Sequence, residues 1–452
     1  MPEVHFNQAL LPDGWSRDVR LSIVDGRIAA IRTGVAPTEA DERHAIGVPG
    51  LPNLHSHGFQ RGMAGLTEIR GASSDTFWTW RELMYRFVAR MSPDDVEAIT
   101  AQAYVEMLEA GFTRVGEFHY IHHDPSGLPY TDIAELGGRV AAAGRRSGIG
   151  LTLLPVFYAH AGFGGRTPDE GQRRFINDVD RFARLMERLR ATVAARDGTV
   201  VGIAPHSLRA VTPNELAAIL PLAVGGPIHI HVAEQMKEVE DCLAWSGSRP
   251  VQWLLDQAPV DRRWCLVHAT HMTDEEARAM AATGAVAGVC PVTEANLGDG
   301  IFNALEFCGA GGAYGLGTDS NVLIGAADEL RQLEYSQRLK LCARNVMATS
   351  RTASTGRALF DGALAGGAQA LGVASGLAVG LTADIVSLDA DSPALAARSG
   401  DAILDGWIFG SRRSPVDCVW TSGHKVVTNG RHHQAESVKA DFRRRLEGLL
   451  AE

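Results

Sequence analysis

Eight apolar, β-branched-rich runs, separated by stretches of helical periodicity, set the architecture of this chain. The runs end near Leu54, Phe118, Tyr158, Pro205, His231, His268, Pro291 and Asp319. They are apolar on both faces rather than alternating, so each strand is buried on both sides. Between several of them apolar residues recur at helical spacing. Pro93–Ala110 opens on a proline and stops at Gly111, and Asp169–Ala195 and Asp274–Ala282 also read as helices. Strand–helix alternation with buried strands gives an α/β fold, a parallel sheet covered by helices. Eight such units over about 300 residues suit a (β/α)8, TIM-like barrel. The first strand is not followed by G-x-G-x-x-G, which counts against an open, doubly wound sheet.

The two chain ends carry a different pattern. Val19–Val24 alternates, Asp25-Gly26 is a hairpin turn signal and Ile28–Ile31 follows. Ala383–Leu388 and Val416–Trp420 read as strands, with a Ser422-Gly423 turn before Lys425–Val427. The ends are expected to pair into a small β-sandwich domain. Residues 1–49 supply its first part and 373–452 its second, including a terminal helix over 435–451. Residues 50–372 form the barrel between them.

The formal net charge of −10 argues against a nucleic-acid partner or an anionic membrane surface. The opening Met-Pro-Glu-Val-His lacks the basic and apolar regions of a signal peptide, and no run is long enough to span a bilayer. The six cysteines form no C-x-x-C and read as buried free thiols of a reducing compartment. A cytoplasmic protein is expected.

Polar residues recur where the predicted strands end. Strand 1 offers His55 and His57, strand 4 His206, strand 5 His231 with Glu234 just beyond, strand 6 His268 and strand 8 Asp319. In a barrel these ends converge on one mouth. One His-x-His pair means little, since chance produces roughly 0.6 such pairs in a chain of this histidine content. A lone histidine capping an apolar strand is usually a satisfied core residue, but five histidines and an aspartate from five strands, with Glu234 beside them, are hard to read that way. His55, His57, His231 and Asp319 offer three nitrogens and one oxygen, a set suited to Zn²⁺, Fe²⁺ or Co²⁺. Such a site lowers the pKa of a bound water to about 7. Glu234 lies within reach of a substrate nitrogen and reads as a proton shuttle. His268 reads as a partner of the attacking water and is preferred over His271, which lies past the strand end. His122 and His123 read as loop residues.

His55-x-His57, His231-x-x-Glu234, His268 and Gly317-Thr-Asp319 together resemble the amidohydrolase superfamily. Bridged two-metal members place a carboxylated lysine after strand 4. Here His206 stands there and Val201–Leu208 has no lysine, which implies one divalent metal ion per chain, expected to be Zn²⁺ with Fe²⁺ as the other candidate. Longer blocks narrow the resemblance to the formimidoylglutamate deiminase family: His55–Gly65, Phe77–Tyr85, Glu117–Tyr120, Pro205–Arg209 and Thr293–Asp299. Gly58 stands where that family usually has alanine. The resemblance implies a small dianionic, amino-acid-derived substrate with a cationic formimino group, and hydrolytic loss of ammonia from it. Arg81 and Arg209 would take the two carboxylates, with hydrogen bonds from Gln60, Tyr120 and His206. Glu234 would protonate the imine nitrogen and then the departing amine, while His268 and Asp319 orient the water. It also implies a homodimer.

Two other readings compete with this one. A deaminase of a nucleobase or related aminoheterocycle would use the same metal set, but two arginines with Gln60 suit an acyclic dianion better than a ring edge. A non-catalytic assembly protein would have shed metal ligands, and all are present. Gly162–Gly165 reads as a flexible turn and receives no role.

Overall fold

The computed structural model describes residues 3–69, 76–193, 198–350 and 352–451. Eight parallel strands build the barrel: strand 1 is Leu51–Ser56, strand 2 Phe112–His119, strand 3 Gly150–Phe157 and strand 4 the interrupted pair Val200–Val201 and Ala204–Pro205. Strand 5 is Ile228–Val232, strand 6 Trp264–His268, strand 7 Val286–Val289 and strand 8 Ala313–Leu316. Their hydrogen-bonded order runs 5-6-7-8-1-2-3-4. The ring closes between strands 4 and 5, where His229 N–H donates to Ile203 O (3.0 Å) and His231 N–H to His206 O (3.0 Å). Nearly every strand residue is buried, as unbroken apolar runs require of a sheet covered on both faces.

Two boundaries differ from the sequence reading. Strand 8 stops at Leu316 and Asp319 lies on the turn beyond it, because the chain crosses strand 1 there. A Cβ on Gly317 would fall 2.7 Å from the His55 Cβ. The helix expected from Asp169 begins at Val179 and is described to Val193; Ala195 lies outside the described residues. Asp169 instead caps a single turn, Glu170–Gln172, after which Arg174 and Phe175 turn into the core. The Arg174 guanidinium donates to the carbonyls of Met91 (2.9 Å) and His123 (2.9 Å), and that pull breaks the helix.

The chain ends pair as expected, in a particular way. Arg431–His432, His424–Thr428, Val416–Thr421, Ile385–Leu388, Glu42–Pro49, Glu3–Leu11, Gly14–Val24 and Arg27–Arg32 form one continuous sheet in that order. The sandwich is this one sheet folded over, so that Phe6, Leu21 and Ile28 from one half share a core with Ile385, Cys418 and Trp420 from the other. Asp25 and Gly26 both take positive φ, as a tight hairpin turn demands. The terminal helix Ala435–Ala451 packs on the barrel helix Pro93–Glu109. All six cysteines are free, though Cys342 is exposed and Cys308 half-buried rather than sequestered. Among the described residues no helix is long and apolar enough to cross a membrane.

Candidate active site

Strand 1 and the turn after strand 8 hold each other in register. Asp319 N–H donates to His55 O (3.0 Å) and His57 N–H to Asp319 O (2.9 Å). The buried Asn321 amide donates to Ser56 Oγ, His57 O and Asp319 O, each at 3.1 Å. Asn53 locks the same turn through Thr318. Asp319 and Asn321 sit at positive φ, as do Ala233 and His268 after strands 5 and 6. Non-glycine residues adopt that region rarely, and such strain gathers at functional sites.

This frame brings His55, His57, His231 and Asp319 together, with one ligand atom from each lying within 4.8 Å of the others. His55 Nε2 and His231 Nε2 are 3.1 Å apart, and Asp319 Oδ1 is 3.3 Å from His55 Nε2 and 3.2 Å from His57 Nε2. Ligands placed tetrahedrally at about 2.1 Å around one ion stand about 3.4 Å from each other. His57 Nδ1 donates to Phe118 O (2.9 Å), which leaves the Nε2 lone pair facing Asp319. Burial holds His55 neutral, with its pKa brought down to about 3, and lowers His57 and His231 as well. Buried lone pairs and a carboxylate converging without donors between them fit a divalent cation.

Beside this cluster stand two groups that can move protons. His268 Nε2 lies 3.7 Å from Glu234 Oε1 and 3.9 Å from Asp319 Oδ2, while its Nδ1 faces Glu294 at 3.3 Å. Burial opposes charge on His268, but the carboxylates of Glu234, Asp319 and Glu294 outweigh it and raise its pKa to about 10. Burial pushes Glu234 up to about 7, against the pull of His268 and Arg209.

The far wall of the cavity is cationic. Arg81, on the helix Phe77–Val88, lies 4.6 Å from the Trp78 ring centroid and 5.5 Å from that of Tyr85. Among the described residues it pairs with no carboxylate, and its buried Nε has no hydrogen-bond partner. Arg209 Nε is likewise unpartnered. Gln60 donates to Tyr120 Oη (2.9 Å), leaving its own Oε1 without a donor. The His206 ring packs 4.5 Å from Tyr158 and 5.0 Å from His231, between centroids.

Every candidate residue except His55 lines one cavity of about 550 Å³, and His55 is wholly buried in its floor. His122 and His123 lie outside it, engaged with the carbonyls of Val156 and Ile176. His271 is turned to Asp299 O (2.8 Å). Phe163, in the glycine-rich turn, stacks on Trp245. Sequence reasoning gave no role to Trp78, Tyr85, Glu238, Glu294 or Asp299. Glu294 and Asp299 lie in the quoted Thr293–Asp299 block, but their partners come from distant strand ends, and spacing alone does not reveal them.

Comparison with known proteins places the chain in a family. The amidohydrolase family model matches residues 46–426, and that of the formimidoylglutamate deiminase HutF N-terminal domain matches residues 1–45. The chain belongs to the amidohydrolase family. As an amidohydrolase it is a hydrolase of carbon–nitrogen bonds in a metal-dependent family. A formimidoylglutamate deiminase from Pseudomonas aeruginosa is 52% identical over 453 residues, covering 100% of both chains. The crystal structure of an amidohydrolase from Brucella melitensis superposes with a TM-score of 0.97 at 58% identity, over 100% of each chain. An adenosine deaminase from Xanthomonas campestris with bound zinc shares the family fold at a TM-score of 0.81 and 21% identity, over 100% of this chain and 98% of that one.

Proposed function

We propose that this amidohydrolase removes ammonia hydrolytically from N-formimino-L-glutamate, giving N-formyl-L-glutamate in histidine degradation. The observation that carries this reading is Arg81, a pocket guanidinium held between Trp78 and Tyr85 with no carboxylate partner among the described residues. A cation so placed, lining the same cavity as Glu234, calls for an anionic group on the ligand. Relatedness to the deiminase of Pseudomonas aeruginosa over the whole chain supports the same substrate.

In this reading Arg81 and Arg209 bind the two carboxylates, and Gln60, Tyr120 and His206 complete the hydrogen bonding. A divalent ion bound by His55, His57, His231 and Asp319 would acidify water so that it attacks at neutral pH. His268, held charged by the carboxylates around it, orients that water, and the free oxygen of Asp319 accepts its proton. Glu234 gives its proton to the imine nitrogen, takes up the one Asp319 received from the water and gives it to the departing amine; ammonia leaves as the new hydroxyl loses its proton to Asp319. The ion we expect is zinc, one per chain, in a cytoplasmic homodimer whose catalytic unit spans residues 50–372.

The test combines metal analysis with an ammonia-release assay on N-formimino-L-glutamate and a panel of aminoheterocycles. One metal per chain and release from the formimino compound alone support the proposal. Release only from a heterocycle overturns it in favour of the alternative deaminase reading.

A further inference from the structure

Glu238 takes no part in the chemistry above, yet its carboxylate touches both sides of the pocket. It lies in the first turn of the helix Met236–Ser246 and is 1% exposed. A glutamate three residues into a helix ordinarily reaches back to the capping residue's N–H, here that of Gln235. Glu238 reaches further. Its Oε1 accepts from Ala233 N–H (3.1 Å) and its Oε2 from Glu234 N–H (3.3 Å). These two amides form the turn that carries the proton shuttle. Ala233 holds φ at +52° there, a left-handed conformation that L-residues adopt only at a cost. Two hydrogen bonds to a charged acceptor are of the size needed to offset that strain.

The same Oε2 stands 3.8 Å from Arg209 Nη2. That distance is too long for a hydrogen bond but short enough to balance charge in a buried setting. Glu238 therefore makes it cheaper to bury the Arg209 guanidinium while leaving its N–H groups free for a ligand. A helix cap alone would have no reason to face that guanidinium.

We infer that Glu238 is a positioning residue that fixes the turn bearing Glu234 and serves as counter-charge to Arg209, so that the anion-binding and proton-carrying sides of the pocket share one support. This rests on the functional reading above. Glu238→Gln tests it, because an amide has one acceptor oxygen for two N–H groups and no charge for Arg209. With one metal per chain and a cooperative melt well above the assay temperature, the variant is expected to lose at least tenfold in kcat on N-formimino-L-glutamate, with KM within threefold. Glutarate, a dianion with nothing to hydrolyse, is expected to bind at least as well as to the parent. Hydrogen exchange at the Ala233 and Glu234 amides is expected to quicken at least tenfold. Glutarate is expected to slow that exchange in the parent and not in the variant. Glu238→Asp keeps the charge but is one methylene short; it is expected to show the same exchange change and serves if the glutamine variant does not fold. Parent-like kcat, or exchange equal in parent and variants, overturns the role. A parent that releases no ammonia overturns the functional reading alone, and the exchange contrast then decides for or against Glu238.

Discussion

The sheet built from the chain ends and the barrel mouth both gather histidine and carboxylate within ligand distance, and they differ in what their ring nitrogens are doing. In the sheet built from the chain ends, His44 lies beside Asp417 and Cys418. Its Nδ1 meets Asp417 at 3.2 Å and its Nε2 meets Glu42 at 2.8 Å, while Lys425 and Ser387 engage the two carboxylates. Nothing there is left to bind an ion. At the barrel mouth, His55, His57 and His231 direct ring nitrogens at one another and at Asp319, with no donor set among them. Proximity of ligand types is thus common to both. What marks the mouth is lone pairs without donors, the Arg81 cation without an anion among the described residues, and backbone held at positive φ.

The largest expected effect breaks this comparison if it fails. His57→Ala should empty the mouth of metal and lower kcat/KM by roughly 10³-fold or more, since activation of water by the ion is lost. His44→Ala should keep one metal per chain and activity within about threefold, at a modest stability cost. Metal analysis of the two purified variants reads the difference directly. Equal metal content in both would refute the distinction between the clusters.

The next effect separates binding from proton transfer within the mouth. Glu234→Gln should retain its metal and lose about 10³-fold in kcat, the scale of a positioned acid–base group. Turnover at the parental rate would remove the shuttle role. Arg81→Ala should act on the other wall. Loss of one charge-assisted pairing is worth about 2–3 kcal/mol. That corresponds to about 10²-fold in kcat/KM, expected chiefly in KM. Arg81→Lys should recover only part, because a point charge does not reproduce a planar fork. A parental KM for Arg81→Ala would show that the cation–π platform, not a substrate, is what this guanidinium serves.

The same contrast explains what was readable before any coordinates. His55-x-His57 stands out because its spacing is the period of a strand, and the frame that aims it is local backbone hydrogen bonding. Asp319 was legible as the polar residue after the last apolar run, although strand 8 ends three residues earlier and a glycine crossing supplies the rest. The cationic wall is another matter. Arg81 rides on a helix whose docking depends on contacts far along the chain, so only the resemblance pointed to it. Glu238 was invisible because its partners are backbone amides and an arginine on a neighbouring loop, and neither leaves a spacing to recognise. That the chain ends pair was legible from their alternating runs, but which strands meet was not: Ile385–Leu388 pairs with Glu42–Pro49, more than 300 residues away in sequence.

The smallest expected effect asks whether the histidines of that sheet are structural throughout. His432 is buried, with its Nε2 donating to Ser147 O (2.8 Å) and its Nδ1 accepting from Gln434 N–H (3.1 Å), and its own N–H donates to Glu109 Oε1 (2.9 Å). This pattern accommodates only the neutral ring, since a proton on Nδ1 would face the Gln434 N–H. Burial lowers the His432 pKa, and neighbouring His433 adds to the effect against the opposing Ser147 carbonyl. Below the unfolded value near 6.5 the unfolded chain then binds a proton that the folded one resists, so this stability is complete above that pH and drains away as pH falls. His432→Gln keeps a donor for Ser147 and an acceptor for Gln434 but takes up no proton. The parent should therefore lose stability relative to this variant as pH falls from 7.5 toward 5, as read by denaturant unfolding at each pH. A gap that stays constant across that range would mean the ring is free to charge in the fold, and the claim that satisfied nitrogens set this sheet apart from the barrel mouth would lose its second histidine.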